Sequence, residues 1–318
     1  MCPSGIYPRC HGEELRGRLA RLKKLSAMPL QAKVDTSLRL IAEACERAKD
    51  AGGQQHVVMF SGGKDSSACA LLAKRAGLAP LILVHCDTGM ASPRTRDRVR
   101  RVADTLQLPL VICTAPEAPE QTWADHDCYP IGPKRGHTYW KRATPDARIS
   151  PVQCCYHRKR RPAILALRQM PGGVATIAWG LRAADGDRRK LYVADHGIIR
   201  SPDAHWPAWS VSTVALWRDI DIARYLAREL PGERHWEHLA EDGCVCCGVD
   251  LAHPDNQLTR LYLSDRERWL HYMRAGLGAQ ILIVQGRDPG TLGAVLAEDP
   301  VSLLRVMGRR GRGSAKIA

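Results

Sequence analysis

The stretch of sequence that decides the fold reads Ser61-Gly62-Gly63-Lys64-Asp65-Ser66. It follows an apolar run at residues 56–60, which predicts a strand, and it precedes a helical pattern at residues 65–76. A strand that turns through two glycines into a helix exposes several backbone N–H groups, and the helix dipole adds positive potential there. The glycines let an anion approach the backbone, the serines add hydroxyl donors and Lys64 adds charge. The stretch therefore predicts a phosphate-binding loop; the alternative is an ordinary glycine turn.

Beyond this loop the sequence alternates between strand and helix patterns. Strands are expected at residues 81–85, 108–113 and 174–179, and a helix at residues 93–106. Such alternation is typical of a parallel sheet covered by helices on both faces. The predicted fold class is therefore α/β, a doubly wound, Rossmann-like parallel sheet with helical N- and C-terminal additions. A nucleotide is expected at the carboxyl ends of the strands.

Three consecutive segments are expected along the chain. Residues 1–52 form a helical N-terminal segment, and residues 53–215 form the α/β domain. Within that domain, residues 115–150 break the alternation with Pro, His, Trp and Tyr, which predicts an insertion. A hairpin is expected at residues 191–201. Residues 216–318 form a mainly helical C-terminal region with a basic tail.

Charge and cysteine content narrow the class of protein. The chain of 318 residues carries a formal net charge of +14, which predicts an anionic partner; the alternative is a solvated basic surface. It contains no run of about 18 apolar residues, and its first residues lack the layout of a signal peptide. A cytoplasmic location without a membrane partner is therefore expected. Twelve cysteines in such a chain indicate metal or redox chemistry rather than a disulfide scaffold.

Five of the cysteines fall in two places. Cys154 and Cys155 are adjacent, and about ninety residues later Cys244 and Cys247 form a C-x-x-C pair. Four thiolates in this pattern can bind a [4Fe–4S] cluster or a tetrahedral zinc ion. Unrelated buried or redox thiols are the alternative. Cys246 stands either as a thiol outside the set of four or as a ligand in place of its neighbour.

These motifs resemble those of a known superfamily. Residues 61–66 resemble the S-G-G-x-D-S loop of the PP-loop ATP pyrophosphatases (adenine nucleotide alpha-hydrolase type), which split ATP between the α and β phosphates. Residues 87–89 (Asp-Thr-Gly), 154–159 (Cys-Cys-Tyr-His-Arg-Lys) and 180–182 (Gly-Leu-Arg) resemble, in order, motifs of the phosphoadenylyl-sulfate reductase family. The two-part cysteine pattern is similar to the [4Fe–4S] ligands of assimilatory adenylyl-sulfate reductases.

Two departures separate the chain from the reductases. Reductases of this family attack the sulfate sulfur with a cysteine near the C-terminus, and no cysteine follows Cys247 in this sequence. Their phosphate loop is typically degenerate, whereas residues 61–66 keep the full pattern. The chain instead resembles the DndC-like proteins of DNA phosphorothioation, which combine an intact PP-loop with an iron–sulfur cluster.

The resemblance implies a set of site residues. Lys64, Asp65 and Arg182 are the implied catalytic residues: Lys64 with Mg²⁺ neutralises charge as the α–β bond breaks, Asp65 orients the metal or the loop, and Arg182 grips a second phosphate group. A [4Fe–4S] cluster, with zinc as the alternative, is expected on Cys154, Cys155, Cys244 and Cys247. The residues implied to bind ATP and Mg²⁺ are Ser61, Gly62, Gly63, Lys64, Asp65, Ser66, Ser67, Asp87, Thr88, Gly89 and Arg182.

The implied activity is ATP-driven activation of an acceptor for sulfur transfer. A nucleic acid is the expected acceptor, DNA more than tRNA, because phosphate neutralisation by a basic protein supplies much of the binding energy. A cysteine desulfurase is the expected sulfur donor. Two alternatives remain open: a small-molecule sulfur enzyme, either a phosphoadenylyl-sulfate or adenylyl-sulfate reductase or an ATP sulfurylase-like protein, and a non-catalytic nucleotide-binding module that recruits a partner.

Overall fold

The computed structural model of the chain describes residues 12–131, 146–231, 244–247 and 256–304. Parts of the expected N-terminal segment, of the insertion at 115–150 and of the basic tail lie outside the described residues. The chain forms two compact units, each built from separated stretches, and so divides differently from the three consecutive segments expected. The sheet unit comprises Met1–Cys86, Asp97–Cys113 and Ala163–Leu239, and the cysteine unit comprises Asp87–Arg96, Thr114–Pro162 and Ala240–Ala318.

A mostly parallel sheet forms the frame. Its strands are β1 Gln55–Met59, β2 Leu81–Asp87, β3 Leu110–Thr114, β4 Val174–Trp179, β5 Ile199–Arg200 and β6 Trp209–Ser212. Among the described residues the strand order is β3-β2-β1-β4-β6-β5. β1 pairs in parallel with β2 and β4, β4 pairs in parallel with β6, and β5 is antiparallel to β6. The predicted Rossmann-like fold class is thereby confirmed.

Helices connect and cover the strands. In chain order they are α1 Gly12–Ser26, α2 Leu30–Ala48, α3 Lys64–Arg75, α4 Pro93–Leu106, α5 Pro119–His126, α6 Pro151–Cys155, α7 Arg161–Arg168, α8 Asp187–His196, α9 Asp219–Glu229, α10 Gln257–Ser264, α11 Arg266–Tyr272, α12 Gly278–Val284 and α13 Leu292–Glu298. A π-helical turn, Tyr156–Arg160, joins α6 to α7. None of the helices in the described ranges is both long and apolar enough to cross a membrane.

Both faces of the sheet are covered by apolar side chains. Successive residues of a strand point to opposite faces, so neighbours in sequence enter different layers. Val57, Val84 and Ile177 belong to one buried cluster, which α7 helps to form. Val58 and Leu83 belong to the other, larger cluster, to which α2, α3, α4 and α9 contribute. Coverage on both faces explains why these strands are apolar throughout rather than alternating.

The hairpin expected at residues 191–201 is wrong over most of its length. α8 continues to His196, and only Ile199–Arg200 pairs with β6. Val193 and Ala194 are adjacent and are both buried in the sheet unit. Adjacent residues can share the inner side of a helix, whereas in a strand they point to opposite faces. The helix ends at Gly197, whose φ of +77° lies in a region that favours glycine.

The cysteine unit has a core of its own, rich in aromatic side chains. Trp123 lies with its ring centroid 5.7 Å from that of Tyr129 and 5.7 Å from that of Tyr272. The same buried cluster contains Cys154 and Cys246. Two of the cysteines singled out from the sequence are therefore interior residues of this unit.

Candidate functional site

The glycine loop lies between the central strand β1 and helix α3, as the sequence predicts. Gly62 has a φ of +75°, a conformation that side chains rarely adopt. A Cβ atom at Gly62 would also lie 2.8 Å from the Cγ2 atom of Val99. Glycine is therefore required at this position by both backbone conformation and space. Gly63 is the last residue before α3 and keeps an extended backbone.

The serines of the loop hold its shape. Ser66 and Ser67 each donate a hydroxyl hydrogen bond to the Gly63 carbonyl, at 2.9 Å and 3.0 Å. Ser61 accepts a hydrogen bond from the Gly63 amide at 3.3 Å through its hydroxyl oxygen. That oxygen also lies 3.1 Å from the Ser66 hydroxyl. The hydroxyls of Ser66 and Ser67 thus brace the loop, whereas the sequence motif predicts Ser61 and Ser66 as donors for phosphate.

A network of charged side chains borders the loop. Lys64 Nζ lies 2.8 Å from Asp219 Oδ1 and 3.3 Å from Asp65 Oδ1. Arg182 Nη2 lies 3.1 Å from the same Asp219 oxygen, and Arg182 Nε lies 3.1 Å from Asp65 Oδ1. Arg182 Nη2 also donates to Asp185. The three predicted catalytic residues, Lys64, Asp65 and Arg182, thus lie in one network.

The two carboxylates nearest Lys64 differ in their surroundings. Burial raises the pKa of Asp65, and Arg182 and Lys64 partly oppose this effect. A hydrogen bond from Lys64 lowers the pKa of Asp219. Asp219 is therefore ionised at neutral pH and acts as a counter-charge to Lys64.

Gly180 brings Arg182 to the loop. It follows β4 directly, and a Cβ atom there would lie 2.9 Å from the backbone carbon of Asp65 and 2.9 Å from the backbone nitrogen of Ser66. No side chain fits between the end of β4 and the first turn of α3. In the Gly-x-Arg pattern, the glycine therefore lets the chain after β4 lie against the backbone of α3, and the arginine two residues later places its guanidinium beside Asp65.

Sequence reasoning missed two members of this network, Asp185 and Asp219. Asp219 is the first residue of α9 and lies far from the loop in sequence, so no local pattern links it to Lys64. Asp185 is also held by Arg189. The fold brings Asp219 to the cations, whereas Asp185 pairs with arginines three and four residues away along the chain.

The Asp87-Thr88-Gly89 turn lies in the cysteine unit. Asp87 accepts hydrogen bonds from the Gly89 amide and from Arg96 Nε, both at 2.9 Å. Gly89 has a φ of +74°, so glycine suits the turn. The Thr88 hydroxyl lies 3.4 Å from the Cys244 thiol. The structure thus brings this turn to one of the predicted cluster cysteines, and its contact with a nucleotide remains a prediction.

Arg158 of the Cys-Cys-x-x-Arg-Lys motif fixes the same turn from within the protein. It is buried and donates to the Thr88 carbonyl from Nε at 3.0 Å and from Nη2 at 2.7 Å. It also donates to the Glu117 carbonyl and to the Thr122 hydroxyl. This bracing role was not expected from the sequence.

The predicted cluster cysteines all lie in the cysteine unit, and none of the cysteines in the described ranges forms a disulfide. Cys154 is in α6, and Cys155 ends that helix. The C-x-x-C pair forms a turn, in which the Cys247 amide donates to the Cys244 carbonyl at 3.0 Å.

Cysteines from separate parts of the chain raise one another's pKa, because a second thiolate nearby disfavours ionisation. Burial and then the neighbouring Cys244, Cys155 and Cys128 raise the pKa of Cys154. Burial and then Cys244, Cys247 and Cys154 raise the pKa of Cys246. These thiols therefore lie near one another, and Cys128 and Cys246 belong to the same neighbourhood.

The donor chemistry of this cysteine group fits soft metal binding. Four or more thiols within one compact unit match the ligand requirement of a [4Fe–4S] cluster or a zinc ion. Over the part of the chain that the structure describes, no three His, Cys, Asp or Glu side chains are arranged as a ligand set. The group thus fits in the number and kind of donors, and identification of the metal remains a prediction.

Several known proteins are similar to parts of the chain. A segment of 63 residues is 43% identical to one subunit of the glutamine-hydrolyzing GMP synthase of Methanoculleus marisnigri and covers 20% of this chain and 21% of that protein. The corresponding GMP synthase protein of Methanoregula boonei is 39% identical over 66 residues, which cover 21% of this chain and 22% of that protein. The chain therefore spans about a fifth of the length of these curated relatives.

Solved structures that are similar to the chain are more distant in sequence. A phosphoadenylyl-sulfate reductase from Candida auris, solved as a phosphate complex, has 18% identity and a TM-score of 0.38 and aligns over 65% of this chain and 82% of its own. An NH3-dependent NAD synthetase from Campylobacter jejuni has 14% identity and a TM-score of 0.42 over 84% of this chain and 97% of its own.

A family model matches the chain over a longer range. The model of the phosphoadenosine phosphosulfate reductase domain matches residues 55–234. This range begins at β1 and includes the glycine loop, the Gly-x-Arg segment and helix α9. More than half of the chain is matched, and the chain belongs to the phosphoadenosine phosphosulfate reductase domain family.

Proposed function

We propose that this chain is an ATP-cleaving PP-loop enzyme that activates a nucleic-acid acceptor for sulfur transfer, as in DNA phosphorothioation. The observation that carries the proposal is the convergence of Lys64 and Arg182 on one point beside the glycine loop. A polyphosphate held there would meet backbone N–H groups at the start of α3 and two cations. Such a site suits the charge of a departing pyrophosphate.

The proposed first step is attack by an acceptor oxygen on the α-phosphorus of ATP. The bond from the α-phosphorus to the bridging oxygen breaks, and pyrophosphate leaves with the electron pair. The acceptor is left adenylylated. Lys64 and Arg182 would stabilise the charge that develops on the leaving group, together with the Mg²⁺ carried by ATP. Asp65, which is paired with both cations, would keep them in position.

The proposed second step transfers sulfur. A persulfide sulfur, supplied by a cysteine desulfurase, attacks the activated atom of the acceptor and displaces AMP. The sulfur–sulfur bond that remains is then cleaved by two electrons from thiols, which releases the donor cysteine. Cys246, which stands outside the proposed set of four ligands, is the candidate thiol of this chain for the exchange.

The cysteine group is the proposed site of a cofactor. Cys154, Cys155, Cys244 and Cys247 would hold a [4Fe–4S] cluster, with zinc as the alternative and Cys246 as the alternative ligand. A bound cluster would supply electrons for sulfur chemistry. The support is the gathering of these cysteines within one compact unit.

The proposed acceptor follows from charge. The formal net charge of +14 favours a polyanion over a small metabolite, because neutralised phosphates supply most non-specific binding energy. DNA is proposed ahead of tRNA, in keeping with the DndC-like resemblance.

Product analysis tests the proposed reaction. Radiolabelled ATP is incubated with the protein, Mg²⁺, DNA and a persulfide donor, and the products are separated. AMP and pyrophosphate are expected from the wild type, and Lys64→Ala is expected to lose both. Lys49→Ala, which removes a lysine whose side chain is 66% exposed at the end of α2, is the matched control and should keep activity. Formation of ADP and phosphate instead would contradict cleavage between the α and β phosphates.

A second candidate, reduction of a sulfonucleotide, is favoured by one observation, the match to the phosphoadenosine phosphosulfate reductase domain. Such an enzyme would release sulfite from an adenylyl sulfate and would not turn over ATP. The intact glycine loop favours the ATP-cleaving alternative, since it keeps every position of the S-G-G-x-D-S pattern.

A further inference from the structure

Asp219 occupies the point on which two cations of the loop region converge. Its Oδ1 atom lies 2.8 Å from Lys64 Nζ and 3.1 Å from Arg182 Nη2. A single carboxylate oxygen therefore bridges a cation of α3 and a cation that follows β4. Two cations that share one oxygen form a site suited to an anion. Asp219 fills that site.

The two sides of this contact differ in how firmly they are held. Arg182 is fixed, with only 3% of its side chain exposed, whereas the Asp219 side chain is 75% exposed. Among the described residues, the buried Nη1 atom of Arg182 has no hydrogen-bond partner. The guanidinium thus keeps donor capacity for a further oxygen, while the carboxylate can rotate into solvent.

The charges of the network are balanced only while Asp219 is present. Three cations face three carboxylates, so the formal charge is zero, and without Asp219 it becomes +1. A phosphate group that enters must therefore either displace Asp219 or meet a negative neighbour. The members of the network are Lys64, Arg182, Arg189, Asp65, Asp185 and Asp219.

We infer that Asp219 is an internal counter-anion, which a polyphosphate displaces from Lys64 and Arg182 when it binds. The inference rests on the proposed function, because it takes the glycine loop to be a polyphosphate site. The class of ligand is a pyrophosphate group, either free or as part of a nucleotide. Asp219 then sets the affinity of the site, and its neutralisation strengthens anion binding.

The test is calorimetric titration with inorganic pyrophosphate in the absence of divalent cations. Asp219→Asn is expected to bind pyrophosphate about fivefold more tightly than the wild type. The substitution removes one exposed carboxylate that competes with pyrophosphate for Lys64 and Arg182. The gain should shrink as salt is added, because exposed charges are screened. Asp187→Asn is the matched control: Asp187 is also the first residue of a helix, α8, and its side chain is 86% exposed.

Equal or weaker binding by Asp219→Asn, with the control unchanged, overturns the inference. Asp219→Ala repeats the test without an amide that could still accept from Lys64, and thermal unfolding checks that each variant is folded. Lys64→Ala separates the role of Asp219 from that of the loop. If the wild type binds pyrophosphate and Lys64→Ala does not, the loop is a polyphosphate site whatever Asp219 does. If neither the wild type nor Asp219→Asn binds, both the inference and the proposed site fail.

Discussion

At the scale of single residues, Gly180 shows how a short motif encodes a close contact. Its backbone φ does not require glycine, but a Cβ atom would lie 2.9 Å from backbone atoms of Asp65 and Ser66. Backbone atoms at that distance cannot yield as a flexible side chain would. The glycine therefore allows the end of β4 to lie against the first turn of α3.

Gly180→Ala is expected to displace the loop. The added methyl group must push β4 and α3 apart, so pyrophosphate binding should weaken at least tenfold and unfolding should require less denaturant. Gly17→Ala is the control, since a Cβ atom there meets nothing within 4 Å and alanine favours a helix. Calorimetry and urea unfolding provide the two measurements. Unchanged binding by Gly180→Ala would mean that the contact is not needed.

The residues of the site were predictable to different degrees. Lys64, Asp65 and Arg182 stand in short motifs, and the structure places them together. Asp185 lies only three residues after Arg182 but stands in no motif that marks it as a site residue. Asp219 is distant in sequence, and long-range folding brings it to the loop. For the same reason, the contact of Thr88 with Cys244 could not be inferred from either motif.

At the scale of secondary structure, a buried ion pair links α2 to the start of α9. Lys33 has a fully buried side chain and donates to Asp221 and, at 2.7 Å, to the Ser26 carbonyl. Asp221 also accepts from the Arg218 amide at 2.8 Å. The pair thus fixes the helix whose first residue is Asp219.

Lys33→Met is expected to cost about 3–5 kcal/mol of unfolding free energy, since the buried carboxylate of Asp221 loses its buried partner and keeps Arg218, whose side chain is 53% exposed. The double variant Lys33→Met, Asp221→Leu should recover part of this loss, because no buried charge is then left without its buried partner. Urea denaturation of the two variants and the wild type measures the difference. A single variant that loses less than about 1 kcal/mol would contradict the assigned role of the pair.

His56 of β1 predicts a dependence of stability on pH. Burial lowers the pKa of His56 below its ordinary value near 6.5, and its Nδ1 atom lies 2.8 Å from the Thr176 hydroxyl. The unfolded chain therefore binds a proton at this histidine more readily than the folded chain. As pH falls below about 6.5 towards the folded pKa, the free energy of unfolding should decrease.

Urea unfolding at pH 7.5 and at pH 5.5 measures this effect. The difference between the two conditions should be smaller in His56→Asn than in the wild type. Equal differences in the two proteins would show that His56 does not contribute.

Elements were predicted well where a local pattern sufficed. β1, the glycine loop and α3 follow from apolar runs and glycines. The hairpin predicted at residues 191–201 was wrong. Over such a short range, the spacing of apolar residues does not distinguish the end of a helix such as α8 from a short edge strand, and tertiary contacts decide between them.

At the scale of the whole molecule, the described chain is built from two compact units. The sheet unit holds the glycine loop, and the cysteine unit holds Cys154, Cys155, Cys244, Cys246 and Cys247. The units could not be inferred from sequence, because each is assembled from stretches that are far apart along the chain.

Metal analysis tests the proposed cofactor of the cysteine unit. Protein purified without oxygen is expected to contain iron and sulfide and to absorb visible light. Cys154→Ser and Cys244→Ser should lose iron, whereas Cys45→Ser, which changes a half-buried thiol of α2, should retain it. A colourless protein loaded with zinc would contradict the iron–sulfur proposal and support the zinc alternative.

The central claim is that the glycine loop cleaves ATP, and a comparison of substrates tests it most directly. The protein is assayed in parallel for pyrophosphate release from ATP, with DNA and a persulfide donor present, and for sulfite release from adenylyl sulfate and phosphoadenylyl sulfate with a thiol reductant. We expect pyrophosphate from ATP, lost in Lys64→Ala, and no sulfite. Sulfite production without ATP turnover would contradict the claim.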